Sequence, residues 1–147
     1  MLKRKYVENW RNDVFNSPKC FNYRIYKSQH ELENFFYNLS DKNIKAFVNY
    51  RMCNNCLPVE TGRWIGLERN LRKCNLCNTD DIGDEFHYMF KCPFFSSERR
   101  KYLGFSNNTN AIVLDFQNIM SEQDTSQLTK LCIYVSIVMK QFRRPPG

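Results

Sequence analysis

Cys74, Cys77, His87 and Cys92 are the side chains of this sequence best placed to do chemistry together. The stretch reads Cys74-Asn-Leu-Cys77, then nine residues to His87, then four to Cys92. Three thiolates and one imidazole form a soft tetrahedral donor set of the kind that holds Zn²⁺. The Cys-x2-Cys pair suits a tight knuckle in which both sulfurs reach one ion. The second pair needs more explanation. On an ideal helix, five residues separate side-chain directions by about 140°, so His87 and Cys92 cannot both ligate from one straight helix. Pro93 resolves this, because the residue before a proline is pushed out of the helical region. The spacing therefore predicts a helical turn that carries His87, ends near Lys91 and lets Cys92 swing back. Phe86, Phe90 and Phe94 are expected to cover the site. Four protein ligands leave no open position for a water, so a structural site is expected rather than an enzyme. Removal of the ion should unfold residues 72–95 and leave the flanking helices partly intact.

A second frame competes. Cys53-x2-Cys56 followed by Cys74-x2-Cys77 fits a four-cysteine ribbon. Cys53 and Cys56, however, end an apolar-periodic helix, where thiols serve as small hydrophobes. Cys20 and Cys132 read as ordinary thiols. The start Met1-Leu-Lys-Arg-Lys-Tyr6 has no apolar run behind it, and Leu131–Met139 is far short of a membrane span. A reducing compartment is expected, nuclear or cytoplasmic, with no membrane partner. Asp80, Asp81, Asp84 and Glu85 lie inside the cysteine frame. They are expected to face the basic segment from Arg63 to Lys73 rather than to bind Mg²⁺.

The elements around this frame read as helices. The 147 residues are near the size of one domain, and 15% of them are aromatic, which suits a packed core. Lys3–Phe15 carries Tyr6, Trp10 and Val14 at helical spacing. Phe21–Tyr26 alternates like a short strand. His30 reads as a surface or capping residue. Glu31–Leu39 has a helical stripe of Leu32, Phe35, Phe36 and Leu39. Ser40 or Asp41 can cap a further helix through Met52, with Ile44, Phe47 and Val48 inward. These last two helices are expected to form a hairpin. Pro58 reads as a helix stop and Gly62 as a sharp turn. Ser96 or Ser97 starts a helix that Gly104 closes. Asn108 or Thr109 starts another, with Ile112, Phe116, Ile119 and Met120 on one face. The last begins near Asp124, with Leu128, Leu131, Val135, Val138 and Phe142 along a seam. Arg143-Arg-Pro-Pro-Gly147 reads as a basic end. The expected fold is a mainly α single domain with an embedded Cys-Cys-His-Cys knuckle and little β structure. Its parts are residues 1–56, 57–95 and 96–147.

Net charge is +7, from 22 Lys and Arg against 15 Asp and Glu. Such a balance favours polyanions, so nucleic acid, RNA or DNA, is the expected partner. Arg63, Arg69, Arg72, Lys73, Arg99, Arg100 and Lys101 are the candidate phosphate contacts. Trp64 is a candidate for stacking on a base, as is Tyr102.

Leu57-Pro-Val-Glu-Thr-Gly-Arg-Trp64, Arg72-Lys-Cys-Asn-Leu-Cys77, Ile82-Gly-Asp-Glu-Phe-His-Tyr88 and Lys91-Cys-Pro-Phe-Phe95 occur together in this order. As a set they resemble the zinc-binding region in or after the reverse transcriptase of non-LTR retrotransposon polyproteins. The likeness is strongest over residues 57–95 and looser back to Lys19. It implies Cys74, Cys77, His87 and Cys92 as ligands and does not implicate Cys56. It also implies handling of template or target nucleic acid beside a polymerase. No polymerase palm or endonuclease motif is present, so the chain looks like a detached part of such a protein, without chemistry of its own. The alternative is a protein-interaction module or inert remnant, docking through the 128–142 seam to a partner such as a reverse transcriptase body.

Overall fold

In the computed structural model, which describes residues 2–143, the chain is mainly helical, and the one strand-like feature is an isolated antiparallel bridge between Lys73 and Ile82. The basic end from residue 144 onward lies outside the described residues.

The chain opens with α1, Leu2–Asn16. Residues Tyr23–Tyr26 form a single helical turn, α2, instead of the expected strand. A lone strand would leave its amides and carbonyls unpaired. The turn satisfies them locally, as in the 3.0 Å bond from Lys27 N–H to the Tyr23 carbonyl. The stripe over residues 31–39 yields only one turn, α3, Phe35–Asn38. Its upstream half is drawn into tertiary bonds. Lys27 Nζ donates to the Glu31 carbonyl at 2.8 Å, and Glu33 accepts from both Lys27 and Arg51. Leu32 is left exposed. The expected helical hairpin is therefore absent from this region.

From Ser40 onward, helix starts and stops follow the sequence more closely. Ser40 Oγ accepts from the Asn43 amide and caps α4, Asp41–Arg51, which buries Phe47 and Tyr50. Pro58 begins a helix rather than ending one: it is the first residue of α5, Pro58–Trp64. Its missing N–H is no loss at that position. Gly62 sits inside α5, where its value is close approach rather than a turn: a Cβ there would lie 2.6 Å from Arg72 Cγ. A 3₁₀ turn, Arg69–Leu71, leads to the knuckle. Then come α6, Glu85–Phe90, a 3₁₀ turn at Pro93–Phe95, and α7, Ser96–Leu103. Gly104, at φ +83°, closes α7 in the left-handed conformation. Helix α8, Val113–Met120, starts later than Asn108 or Thr109, where the Asp115 carboxylate accepts from the Ile112 amide at 2.7 Å. Asp124 caps α9, Thr125–Gln141, through the Gln127 amide.

Helix α9 is the spine. It packs on α4 and on α7, and α8 packs on α2. Leu128, Leu131, Tyr134, Val135 and Val138 are almost fully buried, each stabilising the fold by about 1.5–3 kcal/mol. The seam expected to dock a partner is thus already covered within the chain. One core cluster joins residues of all three sequence parts, among them Phe47, Tyr50, Leu57, Tyr88, Met89, Phe95, Phe116 and Val138. No helix among the described residues is long and apolar enough to cross a membrane.

Candidate metal centre

The segment from Arg72 to Gly83 doubles back as a short hairpin. Cys74 N–H donates to the Asp81 carbonyl, and Gly83 N–H to the Arg72 carbonyl, both at 2.9 Å. At the tip, Asp80 takes a positive φ of 61°, a conformation aspartate tolerates better than most residues. This return places the Cys74–Cys77 knuckle against α6. Within the knuckle the Leu76 amide donates to Cys74 Sγ at 3.3 Å.

Helix α6 exists because Asp84 caps it. Its carboxylate accepts from the His87 amide at 2.9 Å, and it also pairs with Arg69 at 2.9 Å. His87 leaves from this turn, which ends at Lys91. Cys92 then takes ψ 117° ahead of Pro93, outside the helical region. The proline argument from the sequence holds: Cys92 leaves the helix and its sulfur turns back to the site.

The four ligand atoms all lie within 4.8 Å of one another. Cys74 Sγ and Cys92 Sγ are 3.9 Å apart, and Cys77 Sγ is 3.4 Å from His87 Nε2. A tetrahedral ion with metal–sulfur bonds of about 2.3 Å needs donor separations of about 3.8 Å. The Cys74–Cys92 separation matches that value, the whole set lies within 4.8 Å, and Nε2 is the nitrogen that faces the sulfurs. Cys74, Cys92 and His87 are buried and Cys77 is half-buried. The cluster can hold a metal ion with four protein ligands. Cys53 and Cys56 are not part of it, so the ribbon frame does not assemble. Cys53 is buried beside Glu85, and burial raises its thiol well above the ordinary range.

The electrostatics of the four differ. Burial acts to raise the Cys77 thiol, but hydrogen bonding to the Thr79 hydroxyl and backbone, with Cys74 and Cys92 alongside, holds it below its usual value. Burial pushes Cys92 up to about 12. An ion must therefore displace a firmly held proton there, and its binding will release protons. Burial also lowers His87, although Asp81 and Asp84 act against this. The ring is neutral near pH 7, the form that ligates. Tyr88, raised by burial and by its contact with Cys74, places its hydroxyl against that sulfur.

The expected aromatic cover is only partly present. Phe86 is half-buried and Phe90 buried, but Phe90 turns towards Phe105 and Phe116 in the core, and Phe94 is half exposed. Sequence reasoning missed Asp81 as a supporting residue. Its Oδ2 lies 3.5 Å from His87 Nδ1, longer than an ordinary N–H···O bond, and that ring nitrogen is buried without a hydrogen-bond partner among the described residues. A small movement of Asp81 would orient the imidazole as carboxylates do at zinc sites. Asp81→Asn should weaken metal affinity by about 10–100-fold, measured by competition with a chromogenic chelator. Unchanged affinity would remove Asp81 from this role.

Most candidate phosphate contacts are engaged inside the protein. Arg99 is fully buried, and its guanidinium donates to the carbonyls of Tyr88, Cys92 and Ser106, to Asn107 Oδ1 and to the Tyr134 hydroxyl. It is a core residue and not a surface contact. Arg63 pairs with Glu60 at 2.5 Å, Arg69 with Asp84 while stacking on Phe21, and Arg72 with the carbonyls of Leu67 and Val59. Lys73 holds the Asp80 carbonyl at 2.7 Å. Two of the four acids thus face the basic segment as expected, Asp84 at Arg69 and Asp80 at Lys73, whereas Asp81 lies beside His87 and Glu85 is buried, accepting from Asn22 and Asn55. Arg100 and Lys101 are exposed on α7. Trp64 donates its indole N–H to buried Glu60 at 3.0 Å, with its ring about half exposed.

Comparison of the chain with protein-family models, with curated proteins and with solved structures finds no match.

Proposed function

We propose that Cys74, Cys77, His87 and Cys92 hold Zn²⁺ as a closed structural site. We propose further that the protein is a non-catalytic nucleic-acid-binding module of the kind found beside non-LTR retrotransposon reverse transcriptases. The observation that carries the metal reading is the convergence of three sulfurs and one imidazole nitrogen within 4.8 Å of one another from two separate elements. Such a donor set suits Zn²⁺, and four protein ligands leave no position for an activated water. When bound, the ion would tie the hairpin to α6 and supply no reaction chemistry.

The nucleic-acid reading is supported by the net charge of +7 and by the exposed Arg100 and Lys101 on α7, the helix that follows the last ligand. Lys73 is partly exposed beside the knuckle. Trp64, held by Glu60 and about half exposed, is the residue against which a base would stack. Titration with single-stranded RNA and with duplex DNA at two salt concentrations tests the reading. Affinity should fall steeply with salt, and Arg100→Gln with Lys101→Gln should reduce the logarithmic salt slope by about 1.4–1.8. No binding at low salt, or binding indifferent to salt, would end the proposal.

A second reading, as a protein-interaction module docking on a polymerase body, is favoured by a different surface from the α9 seam. Trp64, Ile65, Leu67 and Leu71 are all exposed on the segment before the knuckle. An apolar group of this kind suits a protein partner.

A further inference from the structure

Away from the metal centre, α1, α2, α3 and α4 enclose a half-open cavity of about 190 Å³. That is below the roughly 300–1,000 Å³ of sites for drug-sized ligands, so the fit is to a small molecule. Trp10, Tyr23 and Phe36 are among the residues that line it, and His30 closes its rim by edge contact with Tyr6 and Trp10. Flat aromatic walls favour a planar ligand.

Lys27 and Arg51 line the cavity with Glu31 and Glu33, equal in formal charge, but Glu31 is exposed and forms an ion pair with neither cation. Lys27 and Arg51 are buried, with side chains 7% and 5% exposed, and both pair with the same carboxylate, Glu33 Oε1, at 2.7 and 3.1 Å. Two buried cations thus share one anion. Arg51 has further support: the Met120 carbonyl accepts from it, and the rings of Tyr26, Phe35 and Phe47 surround it. Lys27 has less. Its ammonium uses two of three donors, on Glu33 and on the backbone carbonyl of Glu31, and the third is unmatched among the described residues. Burying a cation with an unmet donor is costly unless an anion completes it.

We propose that this cavity binds a small planar carboxylate, with its ring against Trp10 and Phe36 and its carboxylate on Lys27. The site is independent of the metal centre and of nucleic-acid binding. The test is an NMR titration of the full chain with benzoate, benzyl alcohol and benzylammonium, three probes of one shape and different charge. Benzoate should bind with a Kd of about 1 mM or below and perturb the amides of Lys27 and of residues 33–36. Benzyl alcohol should bind at least about tenfold more weakly, and benzylammonium more weakly again. Lys27→Met should abolish the preference for benzoate over benzyl alcohol. If that variant does not fold, Phe36→Ala, at an exposed ring, should weaken benzoate and benzyl alcohol alike. Equal affinity for benzoate and benzyl alcohol, tighter binding of benzylammonium, or no perturbation by benzoate at about 20 mM would overturn the proposal.

Discussion

Excess chelator should lower the unfolding free energy of the protein by at least about 5 kcal/mol. Structural zinc contributes roughly 10–16 kcal/mol in small finger domains near neutral pH, while a whole domain is stable by only about 5–15 kcal/mol. The sequence alone suggested that residues 72–95 would melt as one unit. The structure divides that stretch in two. Asn75, Asn78, Thr79 and Asp80 are exposed, and few backbone bonds hold the hairpin. Tyr88, Met89, Phe90, Cys92 and Phe95 lie in the main core, with the Tyr50 hydroxyl donating to the Glu85 carbonyl. Without the ion, amide exchange should rise first in residues 74–82, while α6 holds until global unfolding. That global transition should itself move to lower urea, because Cys74, His87 and Cys92 join hairpin to core. An identical midpoint with and without chelator would show that the cluster holds no stabilising ion.

Loss of Arg99 should have the largest effect of any single substitution away from the ligands. Arg99→Ala should destabilise the fold by about 4 kcal/mol, since it opens a cavity and strips buried carbonyls of their donor. At the exit of α6 the Tyr88 carbonyl accepts from both Arg99 and Tyr134 and the Cys92 carbonyl accepts from Arg99, so the change reaches the ligand-bearing turn. Arg99→Lys should recover little, because a single ammonium cannot match a guanidinium fork. Arg100→Ala, one residue on and exposed, should change stability by less than about 0.5 kcal/mol. Urea denaturation of the three variants checks this. If Arg99→Ala kept wild-type stability and lost only nucleic-acid affinity, Arg99 would belong at the surface after all.

The contrast between Arg99 and Arg100 shows where sequence reading stops. Both sit in one basic run, and charge alone assigns them one role. Only the docking of α7 on α9 decides that one faces the Tyr134 hydroxyl and the other faces water. The strand expected at 21–26 fails for a related reason. Alternation signals a strand only when a partner strand exists, and none among the described residues reaches this segment. The short α3 shows tertiary bonds overriding periodicity, because Lys27 and Arg51 draw Glu31 and Glu33 away from a helical run.

The sequence by itself determined the donor set, the bend at Cys92, the caps at Ser40, Asp124 and Gly104, and the apolar stripe of α9. Each rests on chemistry within a few residues: ligand type, a proline's steric demand, a side chain reaching its own helix end, or helical period. Tertiary structure alone decided that the hairpin returns Cys74 and Cys77 to His87, that Asp81 stands beside the imidazole, and that the α9 stripe meets α4 and α7. It also decided which arginines are held by internal acceptors. These depend on which distant segments meet, and distance along the chain carries no record of that.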